Sequence, residues 1–326
     1  MATYKALKGL SIQTVAGDIG TVQLGDIWYN STLGKIRVGK TTAGSWASSP
    51  AMNTARAAAG SGGTATAALA AGGEVPPATA NCEIYNGTSW TEVANLNDAR
   101  YNMSSGTVGT TAAGLGIGGD QPGTKGSEEF NGTSWASTVN LVSNRGMMGA
   151  CGTQTAALSA GRYQPAAGLT ELYDGSSWSE TADLNTGRYQ FPALGTQTAA
   201  LAVNGQPSVG GVEIYNGTSW TEVGDTNQQR FSLWGTGTTT AGIVAGGSIS
   251  GGPNDRSALS EEYDGSSWTE VGDLSVARYQ AGSSGTQASG LLFGGGGQPE
   301  TPTSGVHTTT EAWTGDSVTA ATVTSS

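Results

Sequence analysis

One phrase, Glu-x-aromatic-(Asn/Asp)-Gly-(Thr/Ser)-Ser-Trp, recurs along the chain and dictates its architecture. It runs from Glu83 to Trp90, Glu128 to Trp135, Glu171 to Trp178, Glu213 to Trp220 and Glu261 to Trp268, and a reduced copy, Glu311-Ala312-Trp313-Thr314-Gly315, ends the series. An arginine follows each tryptophan at a distance of ten, giving Trp46 and Arg56, Trp90 and Arg100, Trp135 and Arg145, Trp178 and Arg188, Trp220 and Arg230, and Trp268 and Arg278. Such a constant spacing implies a fixed connection between packed strands, since a free loop drifts in length. The tryptophans themselves are 44, 45, 43, 42 and 48 residues apart, so the variation lies elsewhere in the unit, after its paired glycines.

Each unit reads arginine, small residues, Gly-Thr, an apolar run ending in glycine, a variable loop and then the phrase. That is four short strands in about 45 residues, the arithmetic of a propeller blade. With 53 glycines among 326 residues, 12% charged residues and no sustained helical period, the composition excludes a helical fold. The Asn-Gly and Asp-Gly pairs predict type I′ turns between third and fourth strands. The Trp and the aromatic before the turn are predicted to fill the space between neighbouring blades.

The order Arg, Gly-Gly, Glu-x-Tyr, Trp resembles the kelch repeat over about 280 residues. The fold expected is therefore all-β, a six-bladed kelch-like β-propeller at residues 44–326, preceded by an N-terminal arm and hairpin at 1–43. Six arginine units are present, but the sixth lacks its own tryptophan, with Val318 where it would fall. Gly44-Ser45-Trp46-Ala47-Ser48 is a fourth strand without the first three, so this N-terminal strand is predicted to complete the C-terminal blade and close the ring. A seven-bladed ring using Trp28 to Trp46 as a partial blade is the alternative. Before that point, Gly25 to Asn30 and Lys35 to Val38 flank Ser31-Thr32-Leu33-Gly34 as a hairpin. Leu10 to Leu24 reads as an extended arm that orders on a partner.

The charge and the rare residues narrow the function. A formal net charge of -11 argues against nucleic-acid binding, and no apolar run approaches a membrane span or a signal h-region. Cys82 and Cys151 are expected to be free thiols. His307 is the single histidine, so neither a catalytic triad nor a histidine metal site can be assembled. The kelch resemblance brings in copper oxidases such as galactose oxidase, but their ligand set needs several histidines. No enzyme activity, metal or cofactor is expected.

Arg56, Arg100, Arg145, Arg188, Arg230 and Arg278 have two readings. Pointing into a central channel they would form an anion-binding ring. Paired with Glu83, Glu128, Glu171, Glu213, Glu261 and Glu311, one per unit, they would be repeated structural ion pairs, the favoured reading. Binding is expected instead on the variable loops, at 74–82, 120–127, 162–170, 206–212, 248–260 and 298–310, each holding a proline (Pro76, Pro122, Pro165, Pro207, Pro253, Pro299). Within them Arg162, Tyr163, Asp255, Arg256 and His307 are the candidate binding residues.

Tyr4 to Thr14, with Gly25-Asp-Ile-Trp-Tyr-Asn and Gly44-Ser-Trp, resembles the opening of structural proteins from marine and freshwater tailed phages. This implies a virion protein, made in the host cytoplasm and displayed after lysis. Its N-terminal arm would dock on other virion proteins, and its fibre-like propeller would bind a host surface glycan or protein, as a homo-oligomer in the particle. Two other readings are a capsid decoration or assembly protein with no receptor role, and a carbohydrate-binding, lectin-like propeller.

Overall fold

The computed structural model describes residues 12–75, 77–103, 108–119, 126–163, 165–207, 211–250, 255–297 and 305–323. Among these residues the chain is built of β-strands with no helix, as the glycine- and threonine-rich composition requires. It divides into two compact units, one of residues 1–44 with 315–326 and the other of residues 45–314.

Among the described residues the repeat unit contains six sheets of three or four antiparallel strands, and a two-stranded one formed by Arg278–Tyr279 with Gly296–Gly297. The first is Gly60–Thr64, Ala67–Ala71, Cys82–Tyr85 and Trp90–Val93 in that order, and the third, fourth and fifth repeat the arrangement. The second is described with three strands, Gly114–Ile117, Ser127–Phe130 and Trp135–Ser137. In the sixth, Gly282–Gly285, Ser289–Phe293 and Thr310–Thr314 are followed by Ser45–Ser49 from the other end of the repeat. Trp46 lies opposite Trp313 in that pairing, with ring centroids 5.2 Å apart. The missing tryptophan of the sixth copy is thus supplied by Trp46. The expectation of all-β, blade-like sheets holds in this sense.

Two features of the phrase give each sheet its core. Third and fourth strands put the aromatic and the Trp opposite one another, so that Tyr215 and Trp220 lie 5.1 Å apart and Phe130 and Trp135 5.0 Å apart. These rings then cover the neighbouring sheet. Tyr215 and Trp220 pack with Leu158, Ala160 and Cys151 of the third sheet, and Tyr85 and Trp90 pack with Leu291 and Phe293 of the sixth. Burying these aromatics together with aliphatic side chains between sheets stabilises the fold. Cys82 and Cys151 are free and buried, and burial pushes the Cys151 thiol up to about 12.

The Gly-Thr step is also explained. Gly195 has a φ of +112°, and a Cβ there would collide with the carbonyl oxygen of Ala199 across the turn between first and second strands. Only glycine accepts that conformation and that approach.

The Asn-Gly turn differs from expectation. Type I′ needs positive φ at both centres, but only the glycine has it, with Gly87 at +93°. Tyr85 pairs with Trp90, so the loop holds four residues, and Asn86 Oδ1 accepts from the backbone N–H of Thr88 and of Ser89, both at 2.9 Å. The side chain, an Asx-turn, does the work assigned to the backbone. At Asp174 the Ser176 hydroxyl, followed by the backbone N–H groups of Ser176 and Ser177, holds the carboxyl down at about 2. Because the folded value lies below the ordinary one of about 3.9, the turn is stabilised above that pH and loses this contribution as the pH falls through about 2. Asp174→Asn, the residue found at 86, 131 and 216, is expected to lose less melting temperature than the parent on acidification. Melting curves across the acid range check this, and equal losses would refute it.

The terminal unit is a four-stranded sheet in the order Gln13–Val15, Ile27–Asn30, Lys35–Thr42, Ser317–Thr322. The expected hairpin is present, turning at Gly34. Two arrangements differ from the sequence reading. Gln13–Val15, placed in a partner-seeking arm, pairs in parallel with Ile27–Asn30 of its own chain. Residues from Gly315 onward, assigned to the repeat, join the N-terminal residues instead. Arg37 fastens that last strand, donating to Thr322 Oγ1 at 2.8 Å and the Ala320 carbonyl at 2.8 Å while pairing with Asp18 at 3.0 Å.

Candidate functional site

The six arginines are not available to a channel ligand. Each is at most 3% exposed and paired with the glutamate of its own unit: Arg56 with Glu83, Arg100 with Glu128, Arg145 with Glu171, Arg188 with Glu213, Arg230 with Glu261 and Arg278 with Glu311. At Arg188 one guanidinium nitrogen donates to the Asn204 and Gly211 carbonyls, and another meets Glu213 Oε1 at 2.5 Å. Glu213 also accepts from the backbone and side-chain nitrogens of Asn185, at 2.7 and 2.9 Å. Burial pulls the Arg188 pKa down, against the raising effect of Glu213. The structure places the six arginines in the favoured arrangement, a repeated buried ion pair rather than an anion-binding ring, although Arg100 Nε and Arg145 Nε have no partner.

The residues two positions beyond the arginines line a recess that the sequence reading passed over. Ala58, Asn102, Met147, Gln190, Ser232 and Gln280 all have left-handed backbones, with φ between 53° and 57°. They share one recess with Ala59, Met103 and Ala281. Their backbones are linked in succession: Ala58 N–H donates to the Gln280 carbonyl, Gln280 to Ser232, Ser232 to Gln190, Gln190 to Met147, and Met147 to Asn102, at 2.6 to 2.8 Å. A second set lies beside the first. The backbone N–H of Gly73, Gly119, Arg162, Gly205, Gly247 and Gly295 donates to the carbonyl of Arg100, Arg145, Arg188, Arg230, Arg278 and Arg56 respectively. Glycine at the position before each of these donors eases this approach in five units, and Asn204, with a φ of +60°, takes it in the sixth. A Cβ on Gly72, Gly118, Gly161, Gly246 or Gly294 would strike the same arginine carbonyls.

The predicted loop residues fall into two groups. Arg256, in the loop of the fifth sheet, places its guanidinium 4.8 Å from the centre of the Tyr279 ring. His307 belongs with it, since burial first and then the Arg278 and Arg256 charges lower its pKa. Asp255 accepts from the Ser250 backbone N–H and shapes that loop. Tyr163, in the third sheet's loop, meets Tyr189 at a tilted 59° with ring centroids 4.8 Å apart, and Tyr189 donates to Gln206 Oε1 at 2.8 Å. Arg162 contributes its backbone N–H to Arg188, as above, and its side chain reaches the Pro165 carbonyl. All five candidates are half-buried. Of the loop prolines, Pro76, Pro122, Pro253 and Pro299 lie outside the described residues.

The sheets and the repeated inter-sheet bonds define an all-β repeat protein with a propeller-like fold. No family model matches the chain, and no curated protein matches its sequence. Its fold is similar to the solved structure of YjhT, with a TM-score of 0.66 at 12% identity over 83% of this chain and 99% of that one.

Proposed function

We propose that this chain is a non-enzymatic virion component of a bacteriophage: a fibre-like or surface appendage that presents a six-bladed, kelch-like propeller to the host. Closure of the ring by Ser45–Ser49 is supported by bonds that link the sixth sheet to the first. Gly295 N–H donates to the Arg56 carbonyl, Ala58 N–H to Gln280, and Ser284 Oγ to the Thr64 carbonyl. Trp90 meets Phe293 edge-on at 4.9 Å. A rigid ring carrying variable loops is suited to holding a receptor site.

The observation that carries the virion reading is the separate terminal unit. Ile27, Tyr29 and Ile36 are exposed, and the register sets Tyr29 opposite Ile36 and Ile27 beside Val38 on one face of its sheet. Exposed apolar faces of this kind mark sites of association, here with other virion proteins. The phage likeness of the opening residues points the same way.

The test is a chain lacking residues 1–44 and 315–326. It is expected to melt cooperatively and to be absent from assembled particles, while purified, it adsorbs to host cells. Incorporation at the parental level would overturn the attachment role. A folded propeller that does not adsorb would favour a decoration or assembly protein without a receptor role.

A further inference from the structure

We infer that the recess lined by the left-handed residues is a binding site for a neutral saccharide, which enters with a hydroxyl or hydroxymethyl group against Asn102, Gln190, Ser232 and Gln280. The inference rests on the loop side of the ring being its ligand-binding side. The first observation is Ser232, which is 3% exposed and lines the recess, yet its Oγ has no partner in the protein. A buried hydroxyl without a partner is costly, and an occupant of the recess would satisfy it.

The other polar groups share one chemical character. Gln280 Nε2 lies 3.4 Å from Asn102 Oδ1, which leaves its second N–H and its Oε1 for an occupant. The Gln190 amide lines the recess beside them. Amides and hydroxyls both donate and accept, as sugar hydroxyls do. They offer no countercharge to a carboxylate or phosphate, because the nearby guanidinium groups are spent on buried glutamates. Half-buried Ala58, Met147 and Ala281 supply apolar surface at the recess for the C–H groups beside that hydroxyl, with buried Ala59 and Met103 behind them.

A sequence pattern agrees with this division. Each polar member follows an aromatic residue, in Tyr101-Asn102, Tyr189-Gln190, Phe231-Ser232 and Tyr279-Gln280, and each of these aromatics is half-buried. The two apolar members do not, standing in Ala57-Ala58 and Gly146-Met147. Four of the six units thus set an aromatic beside the hydrogen-bonding group, and two of these rings, Tyr189 and Tyr279, are already held against Tyr163 and Arg256.

The test is saturation-transfer NMR and calorimetry on the full chain. The probes are the methyl glycosides of glucose, galactose and N-acetylglucosamine, with galacturonic acid as the charged comparison. Gln190→Ala and Ser232→Ala are the variants, and alanine is tolerated in this backbone because Ala58 already occupies it. Saturable binding of at least one neutral glycoside is expected, weakened about tenfold in either variant at unchanged melting temperature. No binding by any neutral glycoside, binding unaltered in both variants, or tighter binding of galacturonic acid would each overturn the inference. If glycosides fail while the propeller still adsorbs to host cells, the saccharide site falls and the receptor reading stands.

Discussion

Glu213→Ala is expected to cost about 3 to 5 kcal/mol of folding stability, and a urea titration followed by tryptophan fluorescence reads it directly. The size follows from what is left behind. Arg188 is 1% exposed, and without Glu213 its positive charge keeps only carbonyl partners. Asn185 also loses the acceptor for two of its nitrogens. Replacing both members, as Arg188→Met with Glu213→Leu, is expected to recover much of the loss, because an apolar pair leaves no uncompensated charge. A single-variant cost near zero would mean that water reaches the site.

Trp46→Ala is expected to cost about 3 kcal/mol, although Trp46 precedes the repeat in sequence. Its ring lies 5.2 Å from Trp234 edge-on and 5.2 Å from Trp313, and its indole N–H donates to Ser260 Oγ at 3.0 Å. Two of these partners sit in the fifth sheet and one in the sixth. Deleting residues 1–49 goes further, because it leaves Thr310–Thr314 with an open edge. An unpaired edge invites strand exchange, so size-exclusion chromatography with light scattering is expected to show dimers or larger species. A monomer with parental stability would overturn the role given to Ser45–Ser49.

The features legible in the sequence were those set by one residue type at a fixed place. The ten-residue step from Trp to Arg, the glycine before threonine and the equal count of Arg and Glu all have direct structural causes. Gly195 faces the Ala199 carbonyl, and Arg188 faces Glu213. The Asn86 turn misled because Asn-Gly suits both a type I′ turn and an Asx-turn, and the choice depends on Thr88 and Ser89 donating to the side chain.

The recess was hidden for a different reason. Nothing in Ala58 or Met147 favours a left-handed backbone, and the conformation is imposed by carbonyls from units more than forty residues away. The C-terminal strand was equally silent, because Ser-Val-Thr-Ala-Ala-Thr resembles the Thr- and Ala-rich strands of the repeat. Only its pairing with Lys35–Thr42 reveals where it belongs. Arg256 and His307 belong to the irregular polar content of the variable loops, and the structure brings them into mutual electrostatic range.

That pairing gives the chain an unusual grammar. Since both flanks of the repeat return to one terminal sheet, the repeat is an insertion held at two glycines, Gly44 and Gly315. Two recombination joints at those glycines would exchange the whole repeat as a cassette while leaving the strand pairings of the terminal sheet in place.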